Sequence, residues 1–286
     1  MKIIETIEDM RAAVRDFKSA GEVVGFVPTM GFLHEGHLSL VRASRSKADR
    51  TVVSIFVNPA QFGPGEDLGR YPRDLDRDRA MLEREGVDVL FHPSSEEIYP
   101  TGFKTTVEVH DLQDRLCGRS RPSHFRGVCT VVMKLFQIVR PDVAVFGQKD
   151  AQQAVIIRRM IRDMNMDMDV DVIVLPTVRE PDGLAMSSRN GYLSAEERRA
   201  ALVLVQGLEL ARTRCEAGEK DAAKIAGAVR ALIGREPLAR IDYVEIVHPE
   251  DLSPVGRSEG EALVALAVFI GKTRLIDNTV IRGKES

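Results

Sequence analysis

At 286 residues the chain is long enough for one large domain or two modest ones. Hydrophobic residues make up 44% and charged residues 29%, so a core and a solvated surface are both available, while a formal net charge of -3 argues against a general nucleic-acid binder. No apolar run approaches about 18 residues, so no transmembrane helix is expected, and acidic residues from Glu5 onward leave no signal-peptide core, so a cytoplasmic location is expected.

Residues 5–20 read as a helix, with Gly21 as its stop. The apolar run 23–27 reads as a buried strand, and 38–44 has helical composition. Between them stands Pro28-Thr29-Met30-Gly31-Phe32-Leu33-His34-Glu35-Gly36-His37, in which Pro28 and Gly31 break the strand before the helix begins. His34 and His37 thus lie three residues apart at a strand-to-helix junction, a spacing that shares one helical face. The first turn of a helix has unbonded N–H groups and a partial positive charge, so backbone donors and two imidazoles could together hold a phosphate. Glycine at a helix start, as at Gly36, costs about 1 kcal/mol relative to alanine, and close approach of a flat ligand is one reason to accept it. The plain alternative is two half-buried histidines beside a loose turn.

A second strand, 51–57, is nearly continuous and β-branched, as a strand buried on both faces should be. With the helix before it, it completes a βαβ unit and implies a parallel sheet. Asn58-Pro59-Ala60-Gln61-Phe62-Gly63 leaves its carboxyl end, where open parallel sheets bind ligands. Asn58 and Gln61 are therefore candidates for hydrogen bonding to a small polar substrate, or simply the start of a turn. Residues 74–86 read as a charged helix and 87–91 as a third strand, followed by an irregular excursion over 93–120 with one strand-like run at 105–109. Arg119, Arg121, His124 and Arg126 then form a basic cluster ahead of the apolar helix 128–139. The helix dipole disfavours cations there, so a nearby anion is expected, with a solvated charged loop as the competing view.

The fourth strand, 142–146, runs into Gly147-Gln148-Lys149-Asp150-Ala151-Gln152-Gln153 and the helix 154–164. Lysine at such a junction can serve as a mobile phosphate ligand, and Asp150 can accept from ribose hydroxyls; the plain alternative is a helix N-terminus with Asp150 favoured by the dipole. The fifth strand, 168–174, leads to a Pro-rich stretch and then Gly183-Leu184-Ala185-Met186-Ser187-Ser188-Arg189-Asn190. Two hydroxyls and a planar guanidinium on a flexible loop suit phosphate oxygens. Two helices, 195–217 and 220–233, and two strands, 240–248 and 261–270, complete the pattern. The expected fold is therefore α/β: a Rossmann-like doubly wound parallel sheet over 1–178, and a smaller α+β lid domain over 179–286. Cys117, Cys129 and Cys215 are too scattered for a disulfide framework or a Cys-x-x-Cys metal site, and no histidine spacing supports a protein-bound metal.

His-x-Gly-His after a first strand resembles the signature of the nucleotidyltransferase superfamily that includes class I aminoacyl-tRNA synthetases. The longer string from Pro28, together with Val57-Asn58-Pro59-x-Gln61-Phe62, the Lys149-Asp150 string and Ser187-Ser188-Arg189, resembles the pantothenate synthetase (pantoate–β-alanine ligase) family. The resemblance runs through the first 195 residues in order, and beyond them extends to size and layout only. It implies ATP-dependent condensation of pantoate with β-alanine, through a pantoyl adenylate, to pantothenate, AMP and pyrophosphate. It also implies that His34 and His37 bind phosphates while Lys149, Ser187, Ser188 and Arg189 clamp them. Catalysis would rest chiefly on His34, His37, Lys149 and Arg189. Gly147 and Asp150 would hold the ribose, with Met30 and Met186 completing the ATP site. Gln61 and Gln153, with Asn58, would hold pantoate. Mg2+ would ride on the ATP phosphates. A homodimer with no nucleic-acid or membrane partner is the implied assembly. Two rivals stay open on the residues alone. Another nucleotidyltransferase acting on a phosphate acceptor would need a basic pocket where Asn58, Gln61 and Gln153 supply neutral amides. A non-catalytic nucleotide-binding module would leave Lys149 and Arg189 without a purpose.

Overall fold

The computed structural model describes residues 1–283, so the last three positions of the expected 179–286 domain lie outside the described residues. The chain forms two compact units. One comprises Met1–Gln113, Arg121–Gly147 and Ile156–Pro176; the other comprises Asp114–Ser120, Gln148–Val155 and Thr177–Ser286. The main change of unit falls at Pro176/Thr177, beside the expected division after residue 178. Two short segments from the N-terminal half nevertheless group with the second unit, and one of them carries Lys149, Asp150 and Gln153.

The first unit is built on six parallel strands: β1 (Lys2–Ile4), β2 (Val24–Thr29), β3 (Arg50–Ile55), β4 (Val89–Phe91), β5 (Val143–Gly147) and β6 (Asp171–Leu175). Their order is β1-β4-β3-β2-β5-β6. Helices α1 (Ile7–Ser19), α2 (Glu35–Lys47) and α3 (Leu75–Arg84) lie in the first three crossovers. The short α4 (Ser95–Ile98) and α5 (Cys117–Ser120) and the long α6 (His124–Val139) separate β4 from β5, and α7 (Ala151–Asp163) precedes β6. The winding reverses at β2, which has β3 on one side and β5 on the other. Such a switch point is where open parallel sheets bind ligands. β2 pairs with β3 along its whole length but with β5 only at Gly25↔Val143 and Phe26↔Ala144. The ladder between β2 and β5 thus stops three residues short of Thr29, and the sheet opens at the carboxyl ends that carry the candidate residues.

Continuous burial explains the apolar strands. Residues 24–27 and 51–56 are buried without alternation, as sequence composition predicts for strands covered on both faces. Helix α6 is a core helix, and its Phe136 makes edge contacts with Phe26 on β2 and Phe146 on β5. The strand-like run at 105–109 belongs to neither sheet. Its Val107 N–H donates instead to Thr130 Oγ1 of α6.

The second unit holds an antiparallel sheet of β7 (Ala239–Val247), β8 (Glu261–Ile270) and β9 (Thr273–Arg282) in sequential order. Where one helix was expected over 195–217, two form, α8 (Ala195–Ala201) and α9 (Val203–Glu216), followed by α10 (Ala222–Ile233). Ser194 and Glu197 start α8 with a reciprocal capping box. Leu204, Leu208, Ile225 and Val229 from the helices share one core with Val244, Val264, Leu266 and Val268 from the sheet. Strand β9 was not anticipated from the sequence.

Candidate active site

In the first unit the site begins where β2 ends. Thr29 Oγ1 donates to Ser54 O at 2.8 Å and accepts from Gly31 N at 3.1 Å, which folds the chain sharply after the strand. Gly31 (φ 80°) and Phe32 (φ 49°) both adopt left-handed backbone, the first at little steric cost and the second under constraint. The constraint is Asp78 of α3, 1% exposed, whose two carboxylate oxygens accept from Phe32 N (2.6 Å) and Leu33 N (2.7 Å). Burial pushes the Asp78 carboxyl above its ordinary value, against the pull of those two N–H donors and of Arg77. Arg77 adds a bond from Nη2 to Leu33 O and stacks its guanidinium over the Phe32 ring.

This bracket sets the entry angle of α2, which begins at Glu35, earlier than its composition suggested, with His34 as its N-cap. The rings of His34 and His37 lie 4.0 Å apart between centroids, tilted by 33°. His34 N–H donates to His37 Nδ1 at 3.3 Å, so in the neutral imidazole His37 carries its proton on Nε2. The arrangement presents a helix N-terminus and an imidazole N–H donor on one turn.

The loop after β3 builds an amide pocket. Asn58, 1% exposed, donates from Nδ2 to Gln61 Oε1 (3.0 Å) and Gly127 O (3.1 Å). Its Oδ1 accepts from Tyr99 Oη (2.8 Å) and Ala60 N (3.3 Å). Burial pushes the Tyr99 hydroxyl up to about 12, so it stays a donor at any ordinary pH. Asn58 is thus committed to protein partners, and its evident task is to orient Gln61. The Gln61 Nε2 donates to Met30 Sδ at 3.1 Å, which joins two candidate residues from separate strings. Helix α6 presses on this loop at Gly127, where a Cβ would stand 2.2 Å from Ala60 O. At the end of β5, a Cβ on Gly147 would meet nothing within 4 Å, so space is open there.

The basic cluster finds its anions inside the protein. Arg121 grips Glu66 with two bonds of 2.7 Å, Arg126 lies 3.5 Å from Glu108, and Arg119 pairs with Glu245. Burial would raise the Glu66 carboxyl, but Arg121 outweighs it and holds the group below its ordinary range. His124 Nδ1 and Arg121 also reach Gln61 O, so these two brace the turn that carries the paired amides.

In the second unit Lys149 and Asp150 lie on a 310 turn over Gln148–Asp150, with Lys149 Nζ 3.7 Å from Asp150 Oδ1. Gln153 follows on α7, half-buried. Its neighbour Gln152 is structural: Oε1 accepts from Cys117 N and Nε2 donates to Arg115 O. Residues 178–186 form a small hairpin, closed by Met186 N to Val178 O and Glu180 N to Leu184 O. The string expected to be a flexible loop is a 310 turn over Ser188–Tyr192, whose N-cap Ser187 accepts from Arg189 N. Asn190 ties it back to Glu180 Oε1 and Ala185 O. Met186, Ser187, Ser188 and Arg189 are therefore held on a braced turn.

The sequence matches the family described as Pantoate-beta-alanine ligase over residues 2–280. The chain belongs to the pantoate-beta-alanine ligase family and is an enzyme. Pantothenate synthetase of Pelotomaculum thermopropionicum is 58% identical over 281 residues, covering 98% of this chain and 99% of that relative. The Thermotoga neapolitana pantothenate synthetase is also 58% identical, covering 98% of this chain and all of the relative. Pantothenate synthetase from Thermus thermophilus shares the fold at a TM-score of 0.92 and 48% identity, over 98% of this chain and 99% of that one. The pantoate-beta-alanine ligase of Francisella tularensis, solved in complex with beta-gamma ATP and beta-alanine, gives 0.82 at 34% identity, over 98% and 97%. Members of a pantoate-beta-alanine ligase family need a site for an acid, an amine and an energy source. Asp78, Tyr99 and Gly127, none of them singled out from the sequence, bond to Leu33 beside His34 and to Asn58 beside Gln61.

Proposed function

We propose that the chain joins pantoate to β-alanine at the expense of ATP, by way of a pantoyl adenylate. Membership of the pantoate-beta-alanine ligase family carries this reading, and the geometry supports its details. A pantoate carboxylate oxygen attacks the α-phosphorus and pyrophosphate leaves. The β-alanine amine then attacks the acyl carbon, loses a proton, and AMP departs with the C–O bond electrons. The first step moves negative charge onto phosphate oxygens, so fixed donors matter more than a single acid or base. The N-terminus of α2 and the Nε2–H of His37 supply such donors, with His34 beside them. Lys149, Ser187, Ser188 and Arg189 supply the cationic and hydroxyl share, Asp150 and Gly147 meet the ribose, and Met30 and Met186 border the nucleotide. Gln61 and Gln153 hold the hydroxy acid, Gln61 being aimed by Asn58.

Magnesium fits this site as an ion carried on the triphosphate, since such an ion needs few protein ligands. Among the described residues no group of three His, Cys, Asp or Glu could cage it. When bound it neutralises phosphate charge. A cytoplasmic homodimer completes the proposal; light scattering should then return twice the 31.7 kDa chain mass. Among the described residues no helix is long and apolar enough to cross a membrane.

The decisive test is isotope exchange. Labelled pyrophosphate should enter ATP when pantoate is present and β-alanine absent, because the adenylate forms before the amine is needed. A preparation competent in overall synthesis that shows no such exchange sinks the adenylate route. Gln61→Ala should raise the pantoate KM and leave the ATP KM near that of the parent, since Gln61 is held by the amide of Asn58 in the role proposed for it toward pantoate. An effect confined to the ATP KM would remove Gln61 from the acid pocket.

A further inference from the structure

Strand β9 carries two adjacent buried polar side chains in its middle, Asp277 (2% exposed) and Asn278 (5% exposed). Neighbours on a strand point to opposite faces, and these two engage different segments of the second unit. Asp277 binds Arg179 through two bonds of 2.7 and 3.0 Å. Arg179 in turn donates to Gly183 O, inside the hairpin that leads to Met186 and Arg189. Asn278 Nδ2 donates to both Gln148 O and Lys149 O at 2.9 Å, and its Oδ1 accepts from Gln148 Nε2 at 3.0 Å. Both amide hydrogens thus end on carbonyls of the turn that carries Lys149, which fixes the turn and the orientation of the amide together.

We infer that Asp277 and Asn278 are positioning residues for the nucleotide-handling end of the site. Asn278 sets the Lys149–Asp150 turn, Asp277 sets the hairpin before Ser187–Arg189, and one strand keeps the two in register. The inference rests on the phosphate role proposed above for Lys149 and Arg189. A buried polar pair in a strand core is otherwise a poor choice, since apolar residues there would satisfy packing without exacting partners.

The test compares Asn278→Ala, Asn278→Asp and Gln148→Ala with Val229→Ala, a core substitution in the same unit. Steady-state constants, melting temperature and amide hydrogen exchange over residues 147–153 are read for each. Asn278→Ala should speed exchange in that segment and lower kcat/KM for ATP by roughly 10²-fold, the loss expected when a reacting group is misplaced by about 1 Å. Asn278→Asp keeps the shape but sets a carboxylate against two carbonyl oxygens, so it should behave alike and carries the test if the alanine variant does not fold. Gln148→Ala keeps both carbonyl bonds and should change kcat/KM by about fivefold or less. Val229→Ala should lower the melting temperature alone. Wild-type exchange in the Asn278 variants, or a melting loss with kinetic constants like those of Val229→Ala, would overturn the inference. In that case Lys149→Ala shows where the failure lies: silent, the phosphate reading of Lys149 is wrong; impaired, that reading stands and only the role of Asn278 falls.

Discussion

Replacing His37 with alanine should lower kcat by roughly 10²-fold or more, the scale of losing one preorganised donor to a charge that develops in the transition state. The structure makes the donor specific. His34 N–H occupies Nδ1 of His37, so Nε2 of the neutral ring bears the hydrogen and the ring cannot serve there as an acceptor. Lys149→Ala should fall to a similar extent, on the phosphate role proposed for it. Both side chains are half-buried, and their loss should move the melting temperature little. Single-turnover AMP formation separates the chemical step from binding. Near-normal turnover in either variant would withdraw that residue from the mechanism.

Gly127→Ala should damage both stability and acid binding. The added Cβ would lie 2.2 Å from Ala60 O, 2.4 Å from Ala60 C and 2.6 Å from Gln61 Cα, all of them backbone atoms that cannot swing aside. Helix α6 or the 59–61 turn must move, at a cost of about 1–3 kcal/mol, the range for overpacking a tight contact. Gly127 O also receives Asn58 Nδ2, so the same shift disturbs the amide that aims Gln61. The pantoate KM should therefore rise about tenfold or more, because small misplacements of a positioning group have large effects. Calorimetry and pantoate titration check the two halves separately. A stable variant with the parent's pantoate KM would show that the turn does not depend on this contact.

Much of the first unit could be read from the sequence because its signals are local. The buried strands 24–27 and 51–56, the Pro28–Gly31 break and the two histidines all announce themselves within a few residues. What escaped was set by distant partners. Asp78 fell inside the expected charged helix 74–86; its spacing four residues before the fully buried Leu82 was the one signal that it faced inward. The basic cluster suggested an external anion because Glu66, Glu108 and Glu245, which answer it, lie far off in the chain. Strand β9 was hidden by its own polar centre, Asp277-Asn278-Thr279, which breaks the apolar pattern of a core strand. The same strand bears on a division after residue 178. A fragment cut there keeps Lys149 but lacks Asn278, the residue that holds the turn beneath it.

That separation also orders events during synthesis. The parallel sheet has all its strands once Leu175 has been made, whereas Asn278, which is bonded to Lys149 O, comes 103 positions after Leu175. At ribosomal rates of about 5–20 residues per second the interval is on the order of ten seconds. Throughout it the nascent protein carries a complete strand set around His34, His37 and Gln61 with the lysine turn untethered. Translation that stalls before β9 leaves the strands of the first unit made and the bonds from Asn278 to the lysine turn unmade. On the phosphate role proposed for Lys149, a tethered lysine turn arrives only with β9.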